Sequence, residues 1–231
     1  MIIKVCGMRD PENIRALEQL DVDWMGFIFW TESPRFVSMI HSRAGIIPDY
    51  NPLPGEHVKG TVKISDKRPR RVGVFVDDMP QNIVTRVYNF DLDIVQLHGQ
   101  ESPTMIDNLK RTLIPDIRPG VKIMKAISVA SKEDLLRCKD YEGVVDYFLF
   151  DTKCESVGGG GKKFQWDILE AYDGKTPFLL SGGIGPDDVE AVKAFKHPQC
   201  IGIDINSRFE LEPGLKDVNA INHFIQQIRE N

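Results

Sequence analysis

Two residues able to exchange protons close short apolar stretches of the sequence. Cys6 ends the stretch that begins at Ile2, and Asp151 ends the one that begins at Tyr147. A cysteine thiol reacts in an accessible, electropositive setting, whereas an isolated cysteine is more commonly a small buried hydrophobe. A carboxylate at the end of an apolar run must face solvent or a polar pocket, because burying it without a partner is costly. His98 is equally compatible with an ordinary surface histidine.

Two glycine-rich segments could approach an anion. Gly182 and Gly183 lie between a predicted strand and a predicted helix, where backbone N–H groups and the helix dipole favour a phosphate. A tight turn without a ligand explains the same residues. The segment Gly158–Gly161 precedes Lys162 and Lys163 and is either a flap over a ligand or a flexible linker. It is not a nucleotide-binding P-loop, because no serine or threonine follows Lys162.

Eight short apolar runs, each followed by a longer polar or amphipathic stretch, predict the elements that position these residues. Most runs are continuously apolar, which is typical of parallel strands buried on both faces. Eight strand–helix units indicate a closed barrel or a doubly wound sheet, and a chain of 231 residues fits a (β/α)8 TIM barrel as one domain over 1–231. The predicted strands are Ile2–Cys6, Trp24–Phe29, Val72–Val76, Asp93–His98, Val121–Ile127, Asp146–Asp151, Pro177–Ser181 and Cys200–Ile205.

Helix starts follow several of the runs, and one segment breaks the alternation. N-terminal capping signals predict helices after Asp10, Ser102, Ser131 and Gly185, and apolar residues at helical spacing predict a last helix from Val218. Residues 38–71, where the second helix is expected, are rich in proline, glycine and polar residues. We expect an irregular, loop-rich segment there, with at most a short helix.

Composition excludes several classes of protein. A net charge of −5 and a sequence pI near 5.6 leave no basic field to attract nucleic acid or an anionic membrane. The four cysteines show no Cys-x-x-Cys spacing, so the sequence predicts neither a zinc ribbon nor a redox pair, and no metal site. No apolar run reaches the roughly 20 residues that span a bilayer. The expected location is the reducing cytoplasm.

Short motifs in register along nearly the whole chain resemble phosphoribosylanthranilate isomerase of tryptophan biosynthesis. One of these motifs alone is weak evidence, but many in the same order are strong evidence. They are Lys4–Met8, Gly26–Phe29, Ser33–Arg35, Val72–Val76, Val95–Gly99, Lys125–Ser128, Phe150–Thr152, Gly158–Gly159 with Phe164 and Trp166, Ser181–Ile184, Asp204–Ser207 and Glu212–Gly214.

The resemblance implies an isomerase that carries out an Amadori rearrangement without a metal or organic cofactor. N-(5′-phosphoribosyl)anthranilate would become 1-(2-carboxyphenylamino)-1-deoxyribulose 5-phosphate, with Cys6 as general base and Asp151 as general acid. By position Arg35 corresponds to the clamp for the anthranilate carboxylate, and His98 and Asp204 line the mouth. The expected partner is a small phosphorylated substrate, bound by a monomer or a homodimer. The residues matching the phosphate site are Gly159, Gly160, Gly182, Gly183, Asn206 and Ser207.

The sequence departs from the family pattern at several positions, and three other functions make different demands on its residues. Gln165, and Arg208 with Phe209, stand where many members have other residues. A related phosphate-binding barrel isomerase of histidine biosynthesis is expected to carry aspartate in place of Cys6. Indole-glycerol-phosphate synthase uses strand-end lysines and glutamates that are mostly missing here. A non-catalytic barrel that binds a phosphometabolite has no need of both Cys6 and Asp151.

Overall fold

The strands of the chain close into a parallel barrel. The computed structural model describes residues 1–38, 68–152, 154–157, 161–164 and 166–230, the two short pieces by backbone only. Each strand pairs in parallel with the next along the chain, and the last pairs with the first. The barrel strands are β1 (Ile2–Val5), β2 (Trp24–Ile28), β3 (Arg70–Phe75), β4 (Ile94–Leu97), β5 (Lys122–Val129), β6 (Tyr147–Thr152), β7 (Phe178–Ser181) and β8 (Cys200–Ile205).

All eight predicted strands are confirmed, with ends displaced by at most two residues. Only the displacement at β3 affects another prediction. This strand begins at Arg70, so the irregular segment predicted over 38–71 is wrong for its last two residues, Arg70 and Arg71. The strand begins earlier than predicted because the Arg71 N–H donates to Asp93 at 2.9 Å and the Arg70 N–H donates to the Asp23 carbonyl at 2.8 Å. Residues 39–67 of that segment lie outside the described residues.

Helices cover the outside of the barrel, and most begin where the sequence predicts. Asp10 caps the first helix by accepting from the Asn13 N–H at 2.8 Å, and Ser102 caps the third by accepting from Met105 at 3.2 Å. The helix after β3, which begins at Pro80, was not predicted, because Met79 before it makes no side-chain cap. The helices are α1 (Pro11–Leu17), α2 (Pro80–Asn89), α3 (Pro103–Asp116), α4 (Val189–Ala194) and α5 (Val218–Arg229).

Shorter elements fill the remaining connections. The helix predicted after Ser131 is a 3₁₀ helix over Lys132–Asp140, and further 3₁₀ segments are Trp166–Ala171, Pro186–Asp188 and Ser207–Phe209. Two antiparallel hairpins were not predicted. One pairs Cys154–Val157 with Gly161–Phe164, and residues 158–160, most of the segment predicted as a flap or linker, lie outside the described residues. The other joins Glu210–Glu212 to Leu215–Lys216.

Side chains inside the barrel change from apolar to polar towards the carboxyl ends of the strands. Because strand side chains alternate, residues two apart on one strand share the interior. The layer that follows a buried apolar layer, towards the carboxyl ends of the strands, contains Lys4, Gln96 and Asp204, all at most 7% exposed. The layer after that places polar groups in the mouth of the barrel. The apolar layer consists of Trp24, Val72, Ile94, Met124, Ala126, Leu149 and Leu179.

Candidate active site

A cavity of about 210 Å³ opens at the carboxyl ends of the strands. It gathers eight of the eleven residues that the sequence predicted for the site: Cys6, His98, Asp151, Gly182, Gly183, Asp204, Asn206 and Ser207. Arg35 lies beside this cavity, and Gly159 and Gly160 lie outside the described residues. A larger cavity of about 900 Å³, which Met1 and Arg229 help to line at the opposite end of the barrel, contains none of the predicted residues. The small cavity is therefore the candidate site.

Cys6 follows β1 and is buried against β2. A Cβ atom added to Gly26 would lie 2.7 Å from the Cys6 Sγ, so the missing side chain at that position makes room for the thiol. Burial raises the pKa of the Cys6 thiol above its ordinary value, and the ammonium groups of Lys4 and Lys216 oppose part of that rise. The Asp204 carboxylate adds to the rise in this pKa, so Lys4 and Lys216 are the groups that favour the thiolate form that a base requires.

Lys4 and Asp204 form a buried ion pair at the floor of the cavity. The Lys4 Nζ lies 2.9 Å from the Asp204 Oδ1, and the two side chains are 0% and 7% exposed. The two groups are close but not aligned as a hydrogen bond, so their attraction is that of an ion pair. Burial alone would lower the pKa of Lys4, but Asp204 and Cys6 outweigh it and raise the pKa. The ammonium thus stays charged beneath Cys6.

Asp151 closes β6 with its side chain in the cavity and 41% exposed. Partial burial raises the pKa of this carboxyl, and the nearby Asp204 carboxylate raises it further, while Lys4 opposes both. A raised pKa keeps a larger fraction of the carboxyl protonated near neutrality. This is the property that a general acid needs.

His98 is held as a neutral ring between Gln96 and Asp151. Burial lowers the pKa of His98 to about 4, and the cations Lys4 and Lys125 add to that effect. The Gln96 Nε2 lies 3.1 Å from the His98 Nδ1, and because an amide nitrogen only donates, Nδ1 accepts. The ring proton is therefore on Nε2, which lies 4.0 Å from the Asp151 Oδ2. The sequence analysis missed Gln96, whose only signal is its place two residues before His98 inside a strand.

Arg35 is bound by a glutamate that the sequence analysis also missed. The Arg35 Nε donates to the Glu210 Oε1 at 2.8 Å, and Nη2 donates to Oε2 at 2.6 Å. The Lys216 Nζ donates to the same carboxylate at 2.6 Å and to the Asn206 Oδ1 at 2.7 Å. These contacts hold the pKa of Glu210 at about 2, although burial opposes them. Glu210 and Lys216 flank the Glu212–Gly214 turn, and this cross-strand spacing was the signal available in the sequence.

The glycine turn after β7 allows the backbone to approach a ligand closely. The element that follows the turn is too short to supply the helix dipole that was expected to favour an anion. Gly182 has φ +111°, and an added Cβ would lie 1.9 Å from the Thr152 carbonyl oxygen, so only glycine fits there. The element after the turn is a short 3₁₀ segment, and its Gly185 N–H already donates to Asp188 at 2.6 Å. Anion binding at this turn must therefore depend on the amides of Gly182 and Gly183. Arg208, one of the departures from the family pattern, lies alongside Gly185.

Comparison with known proteins identifies the family. The family model described as N-(5′-phosphoribosyl)anthranilate (PRA) isomerase matches residues 55–227, which is more than half of the chain. The chain belongs to the PRA isomerase family. It is thus an isomerase of tryptophan biosynthesis with a TIM-barrel fold, and this membership decides against the histidine-pathway isomerase and the non-catalytic barrel.

Individual PRA isomerases match the chain along its whole length. The N-(5′-phosphoribosyl)anthranilate isomerase of Parabacteroides distasonis is 45% identical over 228 residues, which covers 99% of this chain and 93% of the relative. A crystal structure of a phosphoribosyl anthranilate isomerase in complex with reduced 1-(o-carboxyphenylamino)-1-deoxyribulose 5-phosphate is 26% identical, with a TM-score of 0.74 over 99% of both chains. A monomer derived from the dimeric enzyme of Thermotoga maritima is 27% identical, with a TM-score of 0.71 over 100% of both chains.

Two classes of site are not seen in the described part of the chain. Within the described ranges, no three histidine, cysteine, aspartate or glutamate side chains are grouped as metal ligands. Among the helices of those ranges, none combines the length and the apolar composition that crossing a bilayer requires.

Proposed function

We propose that this barrel, as a single domain over 1–231, converts N-(5′-phosphoribosyl)anthranilate into 1-(2-carboxyphenylamino)-1-deoxyribulose 5-phosphate, with Asp151 as general acid and Cys6 as general base. The observation that carries the proposal is that this carboxyl and this thiol line one cavity, beside a glycine turn. Mere binding of a phosphometabolite needs neither group. Irregular structure over the part of 38–71 that precedes β3 remains part of the proposal.

The reaction begins with a proton transfer from Asp151. The protonated carboxyl donates to the ring oxygen of the ribose, the bond from that oxygen to C1′ breaks, and the nitrogen lone pair forms a Schiff base with C1′. The raised pKa of Asp151 supports this role, because the acid must hold its proton near neutral pH. The neutral His98 ring, whose Nε2 lies 4.0 Å from the Asp151 Oδ2, does not compete for the proton.

Cys6 completes the rearrangement. The Schiff base acidifies the proton on C2′, the thiolate removes it, and the electron pair moves to form an enolamine. That enolamine gains a proton at C1′ and loses one from its hydroxyl to give the ketone. Lys4 and Lys216 stabilise the thiolate form of Cys6. The sequence of steps moves protons within one molecule and needs no electron acceptor, which supports the expectation of no cofactor.

The two anionic ends of the substrate bind on either side of the reacting carbons. The amides of Gly182 and Gly183, with Asn206 and Ser207, bind the phosphate, and the amides of Gly159 and Gly160 belong to the same proposed set. Arg35 binds the anthranilate carboxylate, for which a planar guanidinium is well suited. Asp204 lines the mouth between them. The bound product analogue in a related structure supports a phosphorylated ligand.

The proposed setting is the cytoplasm, with a small phosphorylated molecule as the binding partner and with neither nucleic acid nor membrane. The acidic net charge of −5 supports the exclusion of polyanions. A monomer and a homodimer both remain within the proposal, and light scattering of the purified protein distinguishes them.

Two assays test the proposed function. Purified protein is incubated with N-(5′-phosphoribosyl)anthranilate, and the ketose product is followed by chromatography and mass spectrometry. The same gene is expressed in a tryptophan auxotroph that lacks only this isomerase, with a histidine auxotroph lacking its own barrel isomerase as the comparison. We expect product and growth of the tryptophan auxotroph alone. Absence of product, or rescue of the histidine auxotroph only, contradicts the proposal.

A further inference from the structure

A buried charged cluster lies beside the catalytic cavity, and of its members only Lys216 bears on the proposed proton transfers, through its charge near Cys6. We call it the Glu210 cluster, and it consists of Arg35, Asn206, Glu210 and Lys216. The side chains of Glu210 and Lys216 are 5% and 0% exposed, whereas Arg35 keeps 18% of its side chain accessible. The Glu210–Lys216 pair is therefore closed to solvent, whereas Arg35 and Asn206, which lines the cavity, stay partly accessible.

The backbone around the Glu210 cluster is shaped to hold it beside Cys6. Glu210 and Lys216 are direct partners in the second hairpin, and the Gly214 N–H in its turn donates to the Glu210 Oε1 at 3.1 Å. Gly7, which follows Cys6, has φ +78°, and an added Cβ would lie 2.6 Å from the Arg35 Cδ and 2.7 Å from the Asn206 Oδ1. Arg35 and Asn206 thus converge over the residue next to the proposed base.

The hydrogen bonds of Glu210 leave one edge of the guanidinium for another anion. A guanidinium has two edges that can bind a carboxylate with two parallel bonds. Glu210 occupies the edge formed by Nε and Nη2, and no acceptor among the described residues contacts Nη1. The edge formed by Nη1 and Nη2 therefore remains for a second carboxylate. Because Arg35 and Lys216 share one carboxylate, the Glu210 cluster keeps a net positive charge.

We propose that Glu210 is the positioning residue that sets specificity for a substrate carboxylate: it fixes the Nε edge of Arg35 so that the Nη edge meets that carboxylate, while Lys216 keeps the cluster cationic. This inference rests on the proposed function and deepens it. Glu210 touches neither substrate nor reacting atoms, so its effect is confined to a substrate that carries the carboxylate.

The chain contains a second buried lysine–glutamate pair that serves as a matched control. The Lys125 Nζ lies 3.3 Å from the Glu101 Oε2, and these side chains are 0% and 2% exposed. Neither residue lines the candidate cavity. Glu101→Gln removes a buried negative charge from its lysine, as Glu210→Gln does, but it leaves Arg35 untouched. The Glu101→Gln variant therefore measures the general effect on activity of removing a buried carboxylate charge from its lysine partner.

The experiment compares two substrates in the unmodified protein and in each variant. The substrates are N-(5′-phosphoribosyl)anthranilate and N-(5′-phosphoribosyl)aniline, which differ only in the carboxylate. For Glu210→Gln we expect KM for the anthranilate compound to rise about tenfold with kcat within about twofold, because a charge-assisted contact to a misplaced guanidinium is weakened. Both constants for the aniline compound should stay the same. Glu101→Gln should leave the preference between the two substrates unchanged.

Further variants keep the test decisive. Glu210→Asp keeps the charge and should restore part of the preference, and it serves in place of Glu210→Gln if that variant does not fold. Lys216→Met should reduce the preference as well, because the cluster loses its net charge. Equal losses on both substrates, or the same change of preference in Glu101→Gln, would overturn the inference. If the unmodified protein turns over neither substrate, the proposed function fails. Binding of reduced 1-(o-carboxyphenylamino)-1-deoxyribulose 5-phosphate then tests the inference independently. An affinity that is the same in Glu210→Gln as in the unmodified protein overturns the inference.

Discussion

The imidazole Nε2 of His98, which follows β4, lies 4.0 Å from the Oδ2 of Asp151 at the end of β6, although β5 separates the two strands. The hydrogen bond from Gln96 to Nδ1 places the ring proton on the side of the carboxyl. A neutral ring beside a carboxyl group adds no full charge to its surroundings. The relationship explains how an acid and a histidine can be neighbours while the histidine stays uncharged near neutrality.

The first prediction concerns the titration of His98. Because burial and the cations Lys4 and Lys125 lower its pKa to about 4, the folded protein binds fewer protons than the unfolded chain as the pH falls below 6.5. Stability from this group is present above pH 6.5 and is lost as the pH falls through that range towards 4. Nitrogen-15 NMR, with His98→Asn to assign the signal, should show a ring protonated only at Nε2 at pH 7. Titration near pH 6.5 would contradict the prediction.

A second prediction concerns the two proposed proton-transfer groups. Cys6→Ala and Asp151→Asn should each lower kcat by about a hundredfold to ten-thousandfold, the usual contribution of a positioned acid or base. Cys200→Ala and Asp146→Asn are matched controls, because both residues stand at the amino-terminal ends of the strands. Circular dichroism should show a folded barrel in every variant. Normal turnover in either proposed catalytic variant defeats the assignment of its role.

The third prediction is the pH dependence of kcat/KM. Burial raises the pKa of Asp151 from 3.8 and that of Cys6 from 9.0, so the rising limb should lie above pH 3.8 and the falling limb above pH 9.0. Between the limbs the active form, with a protonated acid and a thiolate, is a small but constant fraction, and the rate should be flat. Lys216→Met should move the falling limb to higher pH, because Lys216 lowers the pKa of Cys6. A sloping rate between the limbs would contradict this scheme.

The fourth prediction concerns the buried pair of Lys4 and Asp204. Lys4→Met leaves the Asp204 carboxylate buried without its partner, which should cost about 3–5 kcal/mol in the free energy of unfolding. The double variant Lys4→Met with Asp204→Asn should lose less than the sum of the single changes. Urea denaturation measures all three, and Arg111→Met, at an exposed ion pair, is the control with little effect. Additive losses would show that the two side chains are not coupled.

The sequence predicts the barrel well because its signal is local. Each strand is a short apolar run, and residues such as Asp10 and Ser102 mark helix starts by capping them. The helix that begins at Pro80 was missed because Met79 before it gives no such cap. The predicted site residues were found because a barrel brings strand ends together. Glu210 and Lys216 were missed because the contact that gives them a role, that of Glu210 with the distant Arg35, is encoded by no local pattern. Gln96 was missed because its place two residues before His98 indicates a shared strand face but not a hydrogen bond.

The pairing of the first strand with the last has a consequence for biosynthesis. Cys6 emerges from the ribosome early, whereas Asp204 and Lys216, which surround it, are added almost at the end. A growing polypeptide therefore holds this thiol without its neighbouring charged groups until the final strand docks. Catalytic turnover therefore measures fully assembled barrels alone. A stalled or truncated translation product that lacks the last strand contributes no activity.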